Sequence, residues 1–279
     1  MNKIKNVLTK YKTILKEKGF DTYSLDVEVL LMEVTGFDKT KLYINTDYEL
    51  TDSQFKKFEN LFNRRLKNEP IAYIIGKCEF MGLMFMLNND TLIPRPDTEI
   101  LVEKAINIIN ENNFKTALDI GTGSGAIAIS LAKYCNINVD AVDINENALK
   151  MATQNSSLNN IKNVNFIQSD VFENVDKKYN IIVSNPPYIQ TELIQTLDKN
   201  VKDYEPIRAL DGGEDGLYFY KKITKDAKKY LLDGGYLMYE IGHDQAQDVK
   251  KIMEQNNFFN INVLKDLAGL DRVVFGHIK

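Results

Sequence analysis

The sequence predicts an α/β fold: an open, mostly parallel sheet of seven strands covered by helices on both faces, with a small helical domain ahead of it. Three observations lead there. From residue 116 onward, short apolar runs alternate with amphipathic stretches of helical period, the pattern of strands joined by helical crossovers. A glycine-rich turn, Gly121-Thr-Gly123-Ser-Gly125, sits where the first run meets the first such stretch. Residues 1 to about 70 carry helical spacing alone.

The elements follow in order. Ile4, Val7, Leu8, Tyr11, Ile14 and Leu15 share one face of a first helix, which Gly19 stops. A second helix, about Ser24 to Thr35, carries Val27, Leu30, Leu31 and Val34, with Ser24 as its N-cap. A third, about Asp52 to Asn68, carries Phe55, Phe58, Leu61, Phe62 and Leu66. Its polar face holds Lys56, Lys57, Arg64, Arg65 and Lys67, either a solvated face or a shallow docking surface. Ile71 to Asn89, with Gly76 and Gly82, reads as a small hairpin. Leu92-Ile-Pro-Arg-Pro-Asp-Thr-Glu99 is stiff and extended and turns into a helix capped by Asp97 or Thr98, with Ile100, Leu101 and Ala105 inward. Strands are predicted over 116–120, 139–144, 164–168, 179–184 and 236–241, and helices over 125–134, 147–159, 216–232 and 245–256. Residues 258–264 and 272–276 read as a final strand pair. The expected organisation is a helical domain over 1–70, a hairpin linker over 71–91 and the sheet domain over 92–279.

Composition narrows the class. The 279 residues are 44% hydrophobic, enough for two domains with a real core. A net charge of −4 argues against a protein that grips long nucleic acids through their phosphates, while leaving room for a local basic patch. Two cysteines, Cys78 and Cys135, and two histidines, His243 and His277, suggest neither a disulfide framework nor a metal site. His243 reads as a loop or cap residue and His277 as exposed. The N-terminal Met-Asn-Lys-Ile-Lys has no apolar stretch of signal or membrane length. The expectation is a soluble, cytoplasmic protein.

Two motifs carry chemistry. In Asp119-Ile-Gly121-Thr-Gly123-Ser-Gly125-Ala126, glycines let the backbone turn sharply and approach a ligand, and the helix start offers N–H groups. Asp143, twenty residues after Gly123, ends the second strand, where an acid can accept from both ribose hydroxyls. Gly121-x-Gly123-x-x-Ala126 also fits the dinucleotide fingerprint, so a nicotinamide cofactor is a rival. Asp119 ahead of the glycines gives the acid-x-Gly-x-Gly-x-Gly pattern of S-adenosylmethionine enzymes, whose sulfonium tolerates nearby carboxylates. Ser169-Asp170 closes the third strand. Asp170 is either an acceptor for the adenine amino group or a solvated strand end.

The second motif is Asn185-Pro186-Pro187-Tyr188, after the apolar run 179–184. Two prolines fix φ and remove two N–H donors, leaving acceptors beside an aromatic face. The Asn185 amide oxygen and main-chain carbonyls can grip a planar –NH2 group, with Tyr188 against its plane. A hydride-transfer enzyme has no evident use for this motif beside the cofactor crevice.

With both motifs placed, the chain resembles the HemK/PrmC family of protein-(glutamine-N5) methyltransferases. The likeness runs through Glu69-Pro-Ile-Ala-Tyr-Ile-Ile-Gly76, Glu79-Phe80, Leu92 to Glu99, Asp119 to Gly125, Asp143, Ser184 to Ile189 and Tyr204-Glu-Pro206. It continues through Ala209-Leu210, Gly216-Leu217, Glu240-Ile-Gly242 and Asp271-Arg-Val-Val274. Asn-Pro-Pro-Tyr is shared with adenine-N6 and some rRNA methyltransferases; Pro-Arg-Pro-Asp-Thr-Glu is more specific. The resemblance implies a class I, Rossmann-like S-adenosylmethionine-dependent methyltransferase. It would modify the glutamine of the Gly-Gly-Gln motif in class 1 peptide chain release factors. The expectation beside it, from composition and charge, is no metal, no stable nucleic-acid partner and no membrane association, and the chain is expected to be a monomer. Gly121, Thr122, Gly123, Ser124 and Gly125 would wrap the methionine end, Asp143 the ribose, and Asp170 and Val171 the adenine. Some relatives carry Trp where this chain has Val171, so an apolar contact survives without the stacking surface. Asn185, Pro186, Pro187 and Tyr188 would form the substrate pocket, with Asn185, Pro186 and Tyr188 catalytic and Asn185 also touching the cofactor. The N-terminal helices would dock the rest of the factor. Alternatives are glutamine methylation of a ribosomal protein, N6-adenine or rRNA base methylation, or a non-enzymatic module that senses the cofactor.

Overall fold

In the computed structural model, which describes residues 2–279, the chain divides into two compact units. One is Met1–Gly76 with Lys199–Tyr204; the other is Lys77–Asp198 with Glu205–Lys279.

The first unit contains α1 (Ile4–Glu17), α2 (Tyr23–Thr35), α3 (Lys39–Ile44), α4 (Asp52–Arg65) and α5 (Ile71–Ile75). Apolar faces of these helices close one core around Ile4, Leu15, Leu30, Leu31, Leu42 and Phe58. Tyr11 packs edge-on against Phe58 and Phe62, with centroids 4.9 and 4.6 Å apart. Such pairs add about 0.5–1.5 kcal/mol beyond burial. Thr51 and Gln54 form a reciprocal capping box that starts α4. In the same unit, the Tyr204 hydroxyl donates to the Lys67 carbonyl over 2.8 Å.

Three expectations are corrected, and one helix is unanticipated. Ser24 is not a cap: α2 begins at Tyr23, and the Ser24 hydroxyl donates to Glu28 inside the helix. The short α3, capped by Asp38 accepting from Lys41 N, was not read from the sequence. Residues 71–75 are helical, ended by Gly76 at φ +74°, so the hairpin occupies only 77–86. The polar face of α4 is neither simply solvated nor a free basic surface. Arg65 is buried and its Nε donates to Asp26 over 2.7 Å, Arg64 pairs with Glu69, and Lys57 pairs with Glu33.

The second unit opens with the hairpin β1 (Lys77–Phe80) and β2 (Leu83–Met86), then α6 (Pro96–Asn112). Alternation follows: β3 (Thr116–Ile120), α7 (Ala126–Cys135), β4 (Asn138–Asp143), α8 (Glu146–Leu158), β5 (Val164–Gln168) and β6 (Tyr179–Ser184). After α9 (Lys199–Lys202), which belongs to the first unit, come α10 (Tyr218–Ala227), β7 (Leu231–Glu240), α11 (Ala246–Gln255), β8 (Phe259–Lys265) and β9 (Asp271–His277). The sheet order is β5-β4-β3-β6-β7-β9-β8. The first five of these are parallel, and β9 is antiparallel to both β7 and β8. Separate apolar clusters cover its two faces.

Three details differ from expectation. Neither Asp97 nor Thr98 caps α6; Arg95 occupies the cap, with Pro96 in the first turn. The helix predicted over 216–232 stops at Ala227, and β7 starts at Leu231, which pairs with Tyr179. His277 is half-buried, its ring 5.3 Å from that of Tyr236. No helix among the described residues is long and apolar enough to cross a membrane.

Strand order reverses between β3 and β6, which are neighbours in register at Ile120 and Ser184. Chains leaving these two carboxyl ends part to opposite sides, so a crevice opens between them. Both sequence motifs follow these two ends.

Candidate active site

A cavity of about 510 Å³ occupies this crevice, within the size range of small-molecule sites. Its wall includes Gly121 and Gly123 after β3, Asp143, Ile144 and Asn145 at the end of β4, Ser169, Asp170 and Val171 after β5, and Ser184, Asn185, Pro186 and Pro187 at the end of β6. Asp90, Leu92, Arg208, Tyr218, Phe219 and Lys222 complete it, with others.

The glycine turn divides into two jobs. Gly121 and Gly123 have φ of +75° and +54°, and a Cβ on either would meet open space. A ligand can therefore come close to this backbone. Gly125, at φ +83°, is a packing residue: a Cβ there would lie 2.9 Å from Ile129 Cδ1 and 3.0 Å from Ala152 Cβ. Thr122, Ser124 and Gly125 do not line the cavity. The Thr122 hydroxyl instead donates to Asp119 Oδ2 over 2.6 Å, and the Ser124 carbonyl accepts from Asn155. These three shape the turn rather than face a ligand.

Asp119 is fully buried. Its Oδ2 also accepts from Ala128 N, while Oδ1 has no hydrogen-bond partner among the described residues. Burial pushes its carboxyl up to about 7, despite the Thr122 and Ala128 donors. Asp143 is held by two backbone donors, Gly123 N on Oδ2 and Asn145 N on Oδ1, each at 2.9 Å. Burial raises its pKa against those bonds and the nearby Arg208 charge. Each carboxylate oxygen retains lone-pair capacity for a further donor.

At the end of β5, Lys222 Nζ lies 2.7 Å from both Asp170 oxygens. Val171 follows in the left-handed region at φ +55° and is 7% exposed. A β-branched residue rarely adopts that conformation. Here it sets an apolar side chain into the cavity wall.

The loop after β6 is anchored at several points. Ser184 Oγ donates to the Ile120 carbonyl, tying the two strand ends together. Asn185 Nδ2 donates to Thr98 Oγ1 over 3.2 Å. Gln245 Nε2 donates to the Tyr188 carbonyl over 2.9 Å. The expected aromatic face is not where the sequence put it. The Tyr188 ring packs on the core cluster rather than lining the cavity, and burial and Glu240 push its hydroxyl up to about 12. Tyr218 and Phe219, at the start of α10, bring aromatic rings to the cavity instead.

The residues suit an S-adenosyl compound: open glycine backbone, a carboxylate with spare acceptor capacity, and apolar cover from Ile144 and Val171. Sequence reasoning missed Arg208, Tyr218, Phe219 and Lys222 on the wall. The glycine cluster 212–216 just ahead of Tyr218 was the available signal. It named Glu240 only within the Glu240-Ile-Gly242 motif and gave it no role; this charge ends an apolar strand and is buried with Oε2 unpartnered among the described residues.

Residues 6–76 match the PrmC N-terminal domain, and residues 97–201 match the Methyltransferase small domain. A release factor glutamine methyltransferase of Fusobacterium nucleatum is 45% identical over 273 residues, covering 96% of this chain and 77% of that protein. One from Clostridium acetobutylicum is 45% identical over 277 residues, covering 98% and 97%. Among solved structures, a ribosomal protein L11 methylase from Lactobacillus delbrueckii shares the fold. It has a TM-score of 0.51 and 22% identity over 69% of this chain and 84% of that one.

Proposed function

The chain belongs to the release factor glutamine methyltransferase family, and from that premise we propose that it methylates N5 of the glutamine in the Gly-Gly-Gln motif of class 1 peptide chain release factors. The observation that carries this reading is the shared wall: Asn185 and Pro186 line the same cavity as Gly121, Gly123 and Asp143. An amide acceptor site and a nucleoside site thus meet at one place.

Bound S-adenosylmethionine would supply an electrophilic methyl group, its sulfur–methyl bond breaking to leave S-adenosylhomocysteine. Asp143 accepts from the ribose hydroxyls, Gly121 and Gly123 admit the methionine end, and Ile144 and Val171 cover the base. Asp170 offers its remaining lone pairs to the adenine amino group. Asn185 Oδ1 and the Pro186 carbonyl accept from the two amide protons of the substrate glutamine. That aims the nitrogen, a weak nucleophile because its lone pair is delocalised, along one line of attack. As the nitrogen gains positive charge, the same two oxygens stabilise it. The resulting nitrogen is acidic enough to release its proton without a dedicated strong base. Tyr188 serves through its anchored carbonyl, which fixes the loop.

The partner is a protein. A net charge of −4 supports that over a stable nucleic-acid partner. The helical unit docks the body of the factor, since one glutamine side chain supplies little specificity. We place the chain in the cytoplasm as a monomer.

Asn185→Ala tests the reading. Methyl transfer to the intact factor falls at least about 100-fold if the acceptor acts in the transition state, while S-adenosylmethionine affinity by calorimetry is largely kept. Near-normal turnover removes Asn185 from this role.

A further inference from the structure

Asn185 can accept from a substrate amide only if its own carboxamide is held the right way round. Rotation exchanges an acceptor oxygen for a donor nitrogen of nearly equal size. Its contact with the Thr98 hydroxyl, 3.2 Å from Nδ2, does not settle the matter alone, because a hydroxyl both donates and accepts. Glu240 supplies the missing constraint. It ends β7, is 1% exposed, and is faced by both the Thr98 hydroxyl and the Asn185 amide. Its Oε2 has no hydrogen-bond partner among the described residues.

Burial raises the Glu240 carboxyl to about 7, so above that pH it is a carboxylate, which only accepts. It turns the Thr98 proton toward β7 and leaves the hydroxyl lone pair for the Asn185 N–H. With the amide reversed, Asn185 Oδ1 would face the carboxylate across a buried space, oxygen against oxygen. We propose that Thr98 and Glu240 are positioning residues that lock the Asn185 carboxamide with its nitrogen toward β7 and its oxygen toward the substrate. This deepens the functional reading above and rests on it. Neither residue lines the cavity, so both act through Asn185.

No salt bridge reaches Glu240 among the described residues, so burial favours its protonated form at low pH and the lock operates above about pH 7. Arg272 on β9 divides its guanidinium between Asp266, at 3.0 Å, and Asp97 on α6, at 3.4 Å. The Tyr220 hydroxyl, from α10, donates to the Glu240 main-chain carbonyl over 2.9 Å and not to its carboxyl. Tyr188 lies near, neutral.

The test uses three variants of the full chain with an intact release factor as substrate, at about pH 8.5, where the Glu240 carboxyl is ionised. Thr98→Val keeps the shape and removes the hydroxyl, Thr98→Ser restores it, and Glu240→Gln replaces a pure acceptor with a group that also donates. Thr98→Val and Glu240→Gln should each lower kcat about 10- to 100-fold, the effect of losing one charge-assisted restraint. Calorimetric affinity for S-adenosylmethionine should stay within about twofold of the wild type, and Thr98→Ser should recover most of the loss. If Thr98→Val fails to fold, Glu240→Gln decides the question. An active wild type whose Glu240→Gln or folded Thr98→Val variant matches it in kcat overturns the proposal and leaves the functional reading standing. So does a loss of cofactor affinity as large as the loss of kcat, or a Thr98→Ser variant as impaired as Thr98→Val. A wild type that transfers nothing to the factor overturns the functional reading itself, and this inference with it.

Discussion

Asp143→Ala removes the carboxylate at the end of β4 and should act on the cofactor before the chemistry. The native side chain spends one lone pair of each oxygen on Gly123 N and Asn145 N, both at 2.9 Å. The other lone pairs remain for ribose hydroxyls. A hydrogen bond to a charged group contributes about 1.5–3 kcal/mol, so losing even one net bond weakens binding about 10- to 100-fold. Two further effects push the same way: Gly123 N and Asn145 N lose their acceptor, and the glycine turn loses a tie to β4. Calorimetric titration with S-adenosylmethionine and with its demethylated product reads the change directly. Both ligands should weaken alike, because the ribose is common to them. An affinity within about threefold of the wild type, in a variant whose circular dichroism is unchanged, would refute the assignment of Asp143 to the ribose.

Gly125→Ala tests the division of labour within the turn. Its φ of +83° and the approach of Ile129 and Ala152 to the added methyl together cost about 2–4 kcal/mol, seen as a lower thermal midpoint; an unchanged midpoint would mean that α8 does not pack there as described. Asp119→Asn tests burial through pH. The folded chain holds the Asp119 proton up to about 7, whereas an unfolded one releases it near 4. The folded state thus binds the extra proton in that window, and the stability this group contributes is present at low pH and lost as pH rises to about 7. Urea unfolding at pH values across that window should show a shallower decline for Asp119→Asn than for the wild type, and an equal slope would contradict it. Glu240, also raised to about 7 by burial, keeps some decline in the variant.

Much of the sheet was legible because its signal is local. Runs such as 179–184 are built on an uninterrupted apolar centre, Ile181-Ile182-Val183, and the glycines at 121 to 125 mark a turn whatever lies around them. Gly121, Gly123, Asp143, Asp170, Val171, Asn185, Pro186 and Pro187 all reach one cavity since each lies at or just after the carboxyl end of a neighbouring parallel strand. What failed was whatever depends on a distant partner. Arg65 looked like one more surface cation until Asp26, 39 residues earlier, met it in the interior. Tyr188 looked like a pocket wall because sequence shows a ring beside two prolines but not which side of the loop it takes. Gln245, 57 residues on, holds the carbonyl, and the ring goes to the core. Thr98 looked like a cap because it sits at a helix start; its hydroxyl is instead engaged by Asn185, 87 residues away. Residues 71–75 misled for a different reason, since five apolar residues have no period to read.

The central claim is that the loop after β6 presents a protein carboxamide to the cofactor cavity. Incubating the chain with isotopically labelled S-adenosylmethionine, an intact class 1 release factor and its Gly-Gly-Gln→Gly-Gly-Ala variant, then mapping the label by mass spectrometry, addresses it most directly. One methyl group on the side-chain nitrogen of that glutamine, absent from the variant, is the predicted result. Label on another residue, on RNA, or equally on the variant would contradict it.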